Sequence, residues 1–374
     1  MAAPPLLVIA AGGTGGHMYP ALSLAAELRA RGQPVIVACD ARGARYVGPD
    51  VDHRLIQAAS PTGRLGARLR GLGRLAIGLA QSLRLLRGAR PGAVAVFGGY
   101  AAVPIGLAAA MLRIPLLVHE QNAVLGRANR LIARRAARLA LTFAATRGAA
   151  DVPSARQVVT GNPVRAEVAV LRHRPYRAPA ADQPVKVLVV GGSQGARLFS
   201  EIVPAAIACL SKPERTRLAL TQQCRPDDLE RVASAYAGLG LRAELASFFD
   251  DLPERMTDAH LTVSRAGASS VAELLALGRP ALLVPYRFAA DDHQRANAEA
   301  VSRACAGWLI EETQLDAEAL AGKLRIALDQ PQQLIDLSHR AAALGRTDAA
   351  RVLADEVQSL VSAAAVNTQM EALA

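Results

Sequence analysis

The sequence predicts an α/β protein built from two similar halves, each with a mostly parallel sheet wrapped by helices. Two glycine-rich turns, at residues 12–17 and 191–196, each follow an apolar run typical of a buried strand. A helix-compatible stretch follows each turn, and apolar runs alternate with helical patterns through both halves. Ligands of such folds bind at the carboxyl ends of the strands, where most glycine-rich and polar motifs of this chain fall.

Each half has its own set of predicted elements. In the first half, strands are predicted at 6–10, 34–38, 93–97 and 116–118, with a helix from about 20 to 31. In the second half, strands are predicted at 185–190, 218–221, 243–246, 261–264, 281–285 and 308–310. Residues 172–184, rich in Pro, Arg and Ala, are the predicted connection between the halves.

Charge is distributed unevenly along the 374 residues, whose net charge is +11. Residues 1–182 contain 24 Arg and no Lys against 8 Asp and Glu, whereas residues 183–374 contain 19 basic and 24 acidic side chains. No carboxylate occurs between His53 and His119. The first half is therefore expected to meet an anionic partner.

Segment 64–90 combines leucines at helical spacing with flanking arginines. This pattern resembles a helix that lies on an anionic membrane surface. A core-facing helix with solvated arginines explains the same pattern, so both interpretations stay open. Six Phe and six Tyr in the whole chain leave little for base stacking, which argues against nucleic acid as the partner. The most apolar later stretch, 101–118, is interrupted by Pro104, Arg113 and Pro115 and is not a predicted membrane span.

The remaining composition indicates no metal, cofactor or disulfide. The four cysteines show no CxxC or zinc-type spacing, and the N-terminus has no basic segment typical of a signal peptide. A reducing cytosol and a soluble or peripheral protein are expected. No metal-binding DxD pattern is evident, and Asp250–Asp251 and Asp291–Asp292 are interpreted as loop or helix-cap carboxylates.

Three classes of function stay open at this point. The first turn departs from the GxGxxG dinucleotide pattern because Met18 stands where the last small residue is needed. Asp40 at the end of the second strand could still bind a ribose, which keeps a nicotinamide-dependent oxidoreductase possible. A UDP-sugar epimerase and a non-catalytic membrane-surface scaffold are compatible with the same pattern of strands, turns and charge.

Seven motifs in order carry a specific resemblance. They are Gly12–His17 with Pro20–Leu22, Gly98–Tyr100, His119–Asn122, Gly161–Arg165, Gly191–Ala196, Arg265–Ala268 through Glu273, and Asp292–Gln294 with Asn297–Ala298. Together they resemble the MurG family of bacterial N-acetylglucosaminyltransferases, within glycosyltransferase family 28. The resemblance spans roughly residues 6–354.

This resemblance implies a GT-B architecture, in which two Rossmann-like domains with parallel sheets face each other across a cleft. The implied N-terminal domain covers 1–165 and meets the acceptor and the membrane. The C-terminal domain covers 166–345 and binds UDP-GlcNAc. A helix at 346–362 packs back onto the N-terminal domain, and 363–374 is expected to be a flexible tail.

The implied reaction is the transfer of GlcNAc from UDP-GlcNAc to the C4 hydroxyl of MurNAc in undecaprenyl-diphospho-MurNAc-pentapeptide. The anomeric centre is inverted, and lipid I becomes lipid II in peptidoglycan synthesis. The implied location is the cytoplasmic face of the bacterial cell membrane. The uneven charge agrees with this division, because the basic half is the one assigned to the lipid-linked acceptor.

The resemblance also assigns residues to the two substrates. The implied UDP-GlcNAc ligands are Thr14, Gly15, Asn122, Arg165, Ser193, Gln194, Phe249, Ala268, Glu273 and Gln294. The acceptor diphosphate is assigned to Gly13, Gly16, Gly99 and Tyr100. Backbone N–H groups and a helix N-terminus would stabilise the leaving diphosphate without a metal.

His17 is the predicted general base, because a neutral imidazole near pH 7 can accept a hydroxyl proton. Its alternative role is structural, within the glycine turn. His119 and Glu120 are the competing catalytic pair, and their alternative role is to hold the N-terminal loops.

Overall fold

The computed structural model describes residues 4–59, 65–180, 182–192 and 197–373. The chain divides into two compact units. Unit 1 consists of Met1–Arg165 and Asp348–Ala374, and unit 2 is Ala166–Thr347. Each unit contains one sheet, and every paired strand in both sheets is parallel. The predicted α/β class with two parallel sheets is confirmed.

The sheet of unit 1 has seven strands in the order β3-β2-β1-β4-β5-β6-β7. These are β1 (Leu7–Ala10), β2 (Val35–Cys39), β3 (His53–Leu55), β4 (Ala93–Val96), β5 (Leu116–Glu120), β6 (Arg138–Leu141) and β7 (Gln157–Val159). The sheet of unit 2 has six strands in the order β10-β9-β8-β11-β12-β13. These are β8 (Val185–Val190), β9 (Leu218–Gln223), β10 (Ala243–Ala246), β11 (Leu261–Ser264), β12 (Ala281–Leu283) and β13 (Trp308–Leu309).

Fourteen α-helices occur in the described part of the chain. They are α1 (Gly15–Ala30), α2 (Leu65–Ala89), α3 (Ala102–Met111), α4 (Arg127–Ala133), α5 (Ala166–Leu171), α6 (Arg197–Ala208), α7 (Lys212–Thr216), α8 (Leu229–Gly238), α9 (Leu252–Asp258), α10 (Ala268–Leu277), α11 (His293–Arg303), α12 (Ala317–Asp329), α13 (Pro331–Leu344) and α14 (Ala349–Leu373).

Each sheet reverses its strand order at the strand that comes first in the chain. In unit 1, β1 pairs with β2 on one side and with β4 on the other, and in unit 2 β8 pairs with β9 and β11 in the same way. Such a reversal leaves a crevice at the carboxyl ends of the two central strands, where ligands of open α/β sheets bind. The two glycine-rich turns follow β1 and β8, the strands at which the order reverses.

Unit 1 buries both faces of its sheet. One face packs against α2 and α3 through residues such as Leu86 and Ile105. The other face is covered by α1 and α14, with Leu24, Leu28 and Leu353 in the same buried cluster. Strands covered on both faces need continuous apolar sequences, as the fully buried LVIA of β1 illustrates.

The chain returns to unit 1 through α14, and ion pairs accompany its apolar contacts. Arg31 Nη1 lies 2.6 Å from Asp355 Oδ1, and Arg138 Nε lies 3.0 Å from Glu356 Oε2. The helix extends to Leu373, beyond the end expected at 362.

Three strands, β3, β6 and β7, were absent from the sequence prediction. β3 has three exposed residues at a sheet edge, and β7 is a three-residue edge strand, so neither presents a buried apolar run. Helix α1 begins at Gly15 rather than near residue 20, and Pro20 lies inside it, where one backbone hydrogen bond is lost.

The segment 172–184, which the sequence predicted to connect the two halves, does not separate the two units but belongs to unit 2. Arg172 fixes it there, because its guanidinium donates to the carbonyl oxygens of Ala276 and Ala342 at 2.6 and 2.8 Å. Bonds of this kind make the segment part of the domain rather than a linker.

Helix α2 divides into two parts. Leu79, Leu83 and Leu86 pack on the core of unit 1, whereas Leu69 and Leu72 are 60% and 54% exposed. The core-facing interpretation therefore applies to the second part, and the first part leaves apolar side chains uncovered. Among the described residues, no helix combines the length and apolar character needed to cross a membrane.

Candidate active site

The first glycine turn is held by Asp40 at the end of β2. Asp40 Oδ1 accepts hydrogen bonds from the backbone N–H of Gly13 at 3.0 Å and of Gly43 at 2.8 Å. Gly13 has a φ of +84°, which favours glycine. The Asp40 carboxylate therefore stabilises the turn through Oδ1, and its Oδ2 pairs with Arg42, which argues against the ribose-binding role that a nicotinamide-dependent oxidoreductase needs.

The loop after β4 packs directly on this turn. A Cβ added at Gly99, whose φ is +74°, would lie 2.5 Å from the carbonyl oxygen of Gly12. A Cβ at Gly12 would lie 2.5 Å from Cβ of Ala101. Only glycine permits this approach, which brings Gly99 and half-buried Tyr100 beside the first turn at the point where the strand order reverses.

His17, half-buried in the first turn of α1, belongs to a chain of side-chain hydrogen bonds. Its Nδ1 lies 3.0 Å from Oε1 of Gln121. Gln121 Nε2 lies 3.0 Å from Nδ1 of His119 and donates to the His119 carbonyl oxygen at 3.1 Å. His119 Nε2 lies 3.0 Å from the carbonyl oxygen of Gly161. Gln121 and His119 are completely buried.

Burial lowers the pKa of His119 to about 4, although the hydrogen bond to Gly161 acts in the opposite direction. The imidazole is therefore neutral at physiological pH. Both ring nitrogens are used in hydrogen bonds, so the ring links Gly161 to Gln121 and offers no atom to a substrate.

The carboxylate of Glu120 is also fully engaged. Oε1 accepts from the backbone and side-chain N–H groups of Asn122, at 3.0 and 3.1 Å. Oε2 accepts from the backbone of Gly126 and from Asn129 Nδ2, both at 2.8 Å. With 1% of its surface exposed, Glu120 ties the loop after β5 to α4.

Other predicted residues of unit 1 lie on the same edge of the sheet. Thr14 and Gly15 begin α1, and Arg165 closes the loop after β7. The Arg165 guanidinium lies 5.3 Å from the centre of the Tyr19 ring, a cation–π contact. Gly16 is half-buried in the same turn.

Sequence reasoning gave no role to two residues of this edge. Gln121 belongs to the motif His119–Asn122, whose other members had assigned roles. The structure shows that its side chain is completely buried, which the sequence did not indicate. Arg42 follows β2, and its Nη2 would lie 3.3 Å from a Cβ at Gly13. Its guanidinium pairs with Asp40 Oδ2 at 3.3 Å and is 63% exposed.

In unit 2, Gly191 and Gly192 follow β8, and Gly192 has a φ of +83°. The predicted ligands Ser193 and Gln194 lie outside the described residues. The loop after β11, the neighbouring strand, leads into α10, which begins at Ala268 after Gly267 at the N-cap. Glycine supplies no side-chain oxygen to this end, where the positive end of the helix dipole lies.

Two side chains hold the loop before α10. Arg265 Nη1 lies 2.6 Å from Glu312 Oε2, and both side chains are largely buried. Asn297 Nδ2 donates to the carbonyl oxygen of Ala266 at 3.0 Å. Glu273 is buried within the helix, at 6% exposure.

The remaining predicted donor residues lie on other loops of unit 2. Gln294, in the first turn of α11, accepts from the backbone N–H of Tyr286 at 3.0 Å. Phe249 is buried, with the Arg255 guanidinium 4.3 Å from its ring centre. Asp251 and Asp292 occupy N-cap positions of α9 and α11. The described residues contain no group of three metal-binding side chains.

Comparisons with known proteins agree with this architecture. The model of the glycosyltransferase family 28 N-terminal domain matches residues 7–141, and that of the C-terminal domain matches residues 186–353. A protein of Rhodospirillum centenum is 48% identical over 353 residues, covering 94% of this chain and 93% of its own length. A protein of Rhodospirillum rubrum is 49% identical over 361 residues, covering 96% and 92%.

Both relatives are named UDP-N-acetylglucosamine–N-acetylmuramyl-(pentapeptide) pyrophosphoryl-undecaprenol N-acetylglucosamine transferase. The chain belongs to the MurG family. The crystal structure of Acinetobacter baumannii MurG is similar to it, with a TM-score of 0.78 and 28% identity over 95% of this chain and all of that one.

Among the solved structures, the epimerases share the fold of this chain but little of its sequence. The UDP-GlcNAc 2-epimerase of Neisseria meningitidis has a TM-score of 0.67 at 13% identity, covering 95% of this chain and 99% of that one. At this identity the likeness concerns architecture, whereas the MurG family relatives share nearly half of their residues with this chain.

Proposed function

We propose that this chain transfers GlcNAc from UDP-GlcNAc to the C4 hydroxyl of MurNAc in undecaprenyl-diphospho-MurNAc-pentapeptide, with inversion at C1. The observation that carries this proposal is near 50% identity, over almost the whole chain, to relatives named for that activity. A 2-epimerase is the less favoured function, since it is supported by fold alone.

The acceptor belongs to unit 1 in this proposal. The nested loops around Gly13, Gly16, Gly99 and Tyr100 would bind its diphosphate through backbone N–H groups, which suit an anion. Arg42 supports this assignment, because its exposed guanidinium lies against Gly13. A guanidinium matches diphosphate oxygens in geometry and charge.

His17 is the proposed general base. It would take the proton of the C4 hydroxyl as that oxygen attacks C1 of GlcNAc on the face opposite to the UDP. His119 and Glu120, the competing candidates, are proposed to position the loops instead, because the first has both ring nitrogens bonded and the second accepts four hydrogen bonds.

The donor nucleotide belongs to unit 2 in this proposal. The turn at Gly191 and Gly192 and the N-terminal end of α10 at Ala268 would stabilise the negative charge that develops on the departing UDP. Glu273 would accept hydrogen bonds from the ribose, Gln294 would contact the sugar, and the backbone at Phe249 would read the uracil. Ser193, Gln194, Thr14, Gly15, Asn122 and Arg165 are further proposed donor ligands.

The proposed location is the cytoplasmic face of the cell membrane. The uncovered apolar residues Leu69, Leu72 and Ile77 of α2, with Arg68 and Arg74 near them, support contact with anionic lipid. Such contact would bring unit 1 to a lipid-linked acceptor without a membrane-spanning helix.

The test is to incubate the purified protein with UDP-GlcNAc and a short-chain lipid I analogue. UDP and a GlcNAc–MurNAc disaccharide should appear in equal amounts, as followed by chromatography and mass spectrometry. Glu273→Ala should weaken binding of UDP-GlcNAc and leave binding of the analogue unchanged. Formation of UDP-ManNAc without a disaccharide would support the epimerase and refute the transferase.

A further inference from the structure

Gln121 occupies the centre of the hydrogen-bonded chain and determines how its members are oriented. Its Nε2 lies within hydrogen-bond distance of the His119 carbonyl oxygen, which can only accept. The group at this position must therefore be the NH2 of the amide, and the oxygen faces His17. The neighbouring groups thus decide which way the amide points.

The same reasoning fixes the proton on His119. Its Nε2 lies 3.0 Å from the Gly161 carbonyl oxygen, so this nitrogen carries a hydrogen and donates it. A neutral imidazole has a single N–H, which leaves Nδ1 as an acceptor for the Gln121 amide. The Gly161 carbonyl thus fixes the tautomer of His119, and the His119 carbonyl fixes the orientation of the Gln121 amide.

The last member of the chain is His17. Because Gln121 presents an oxygen, His17 Nδ1 must donate, and the lone pair of the neutral ring is then on Nε2. From the geometry we infer that Gln121 is a positioning residue, which holds His17 in the tautomer whose Nε2 can accept the acceptor hydroxyl's proton. This inference rests on the proposed role of His17 as the base.

Neighbouring titratable groups leave this arrangement intact. His119 is separated from His17 by Gln121, to which it is hydrogen-bonded. Glu120 accepts a hydrogen bond from Asn129, and Asn129 and His17 both lie next to Gly98. Each member of the chain, from the Gly161 carbonyl to the oxygen of Gln121, is hydrogen-bonded to the next. Oδ1 of Asn129 is buried near His17 without a hydrogen-bond partner and is the acceptor that could replace the oxygen of residue 121.

The first test needs no variant of Gln121. Protein labelled with ¹⁵N in its histidines is measured by NMR at neutral pH, with the His17 signals assigned by their loss in His17→Ala. We expect Nδ1 of His17 to carry the proton and Nε2 to show the shift of an unprotonated nitrogen. A proton on Nε2 would overturn the inference, whether or not the protein is an active transferase.

Variants of Gln121 add a kinetic test. Gln121→Leu removes the oxygen, so His17 should become a mixture of tautomers and kcat should fall by about 10- to 100-fold, less than or at the lower end of the roughly 10²- to 10⁴-fold expected for complete loss of a general base. The acidic limb of the kcat/KM profile should move to lower pH, because the imidazolium loses an acceptor. Gln121→Glu should move it to higher pH, since a carboxylate stabilises the imidazolium.

The matched control is Gln222→Leu in unit 2. Gln222 is another completely buried amide, which donates to the Phe199 carbonyl and accepts from Tyr236. It should lower the melting temperature similarly without moving the pH profile. If Gln121→Leu behaves like this control, with kcat and pH profile retained, the positioning role is refuted. If His17→Ala is also fully active, the proposed base fails as well.

Discussion

At the scale of single residues, the structure separates three candidates that the sequence left together. His119 and Glu120 are buried and saturated with hydrogen bonds, whereas His17 is half-buried and ends a hydrogen-bonded chain. The distinction depends on which atoms of a side chain are already bonded. No pattern in the sequence contains that information, because bonds to Gly161 and Gln121 depend on how the strands are paired.

Replacing His17 by Ala should lower kcat by about 10²- to 10⁴-fold, the contribution of a general base. Binding of UDP-GlcNAc, measured by titration calorimetry, should stay unchanged. His53→Ala is the matched control, because His53 is exposed at the sheet edge and, among the described contacts, its ring bonds only to the Val51 carbonyl. Nearly full activity of His17→Ala would exclude it from the chemistry.

His119 should make the stability of the protein depend on pH. Its pKa is about 4 in the folded protein and 6.5 in the unfolded chain, so the unfolded state binds more protons between these values. The free energy of unfolding should therefore fall as pH decreases from 6.5 to 4, by about 3 kcal/mol in total.

His119→Asn, which has no titrating ring, should show a smaller loss of stability over the same interval in urea unfolding. The difference between the two proteins isolates His119 from other histidines, such as His260, whose pKa burial also lowers. Parallel stability curves for wild type and variant would contradict the assignment.

At the scale of elements, most strands were predictable, including the edge strands β10 and β13, whereas β3, β6 and β7 were missed. Runs of mostly apolar residues predicted β1, β8, β11 and β12, and these residues are largely buried in the sheets. Such runs are typical of strands that are covered on both faces of a parallel sheet. β3 and β7 form by pairing at an edge, which short and partly exposed sequences do not reveal. The start of α1 was missed because glycines disfavour helix locally, and tertiary contacts override that preference.

The contact between the first turn and the loop after β4 requires glycine. Gly99→Ala should destabilise the protein by about 1–3 kcal/mol from backbone strain alone, and the clash with the Gly12 carbonyl adds to this. Gly88→Ala in α2 is the control, because an added Cβ there meets nothing within 4 Å. It should raise the melting temperature in calorimetry. An unchanged melting temperature for Gly99→Ala would show that the loops can separate without cost.

The exposed part of α2 should bind anionic vesicles. Replacing Arg68, Arg74 and Arg84 together by Gln should weaken binding to phosphatidylglycerol vesicles in a sedimentation assay, most clearly at low salt. Leu69→Ser with Leu72→Ser should weaken binding at all salt concentrations, because an apolar contribution is not screened. Replacing Arg325 and Arg217 of unit 2 by Gln is the charge control. Unaffected binding of the α2 variants would indicate a merely solvated face.

At the scale of the whole molecule, two units with the same strand order explain why one chain contains two glycine turns. Each turn follows the strand at which its sheet reverses order, the place where ligands of open α/β sheets bind. The sequence predicted this duplication from motif spacing. The resemblance implied a boundary between residues 165 and 166, and the two compact units divide at this point. The connection predicted at 172–184 from its composition lies inside unit 2 instead, where Arg172 secures it.

The proposed reaction is a direct displacement, in which the acceptor hydroxyl gives its proton to the base and its oxygen replaces UDP at C1. The measurement that tests it most directly is the anomeric configuration of the disaccharide made from UDP-GlcNAc and a lipid I analogue, read by ¹H NMR of the isolated product. Direct displacement should give a β-linked GlcNAc at C4 of MurNAc, inverted from the α-linked donor. An α-linked product, or free GlcNAc in place of a disaccharide, would contradict it.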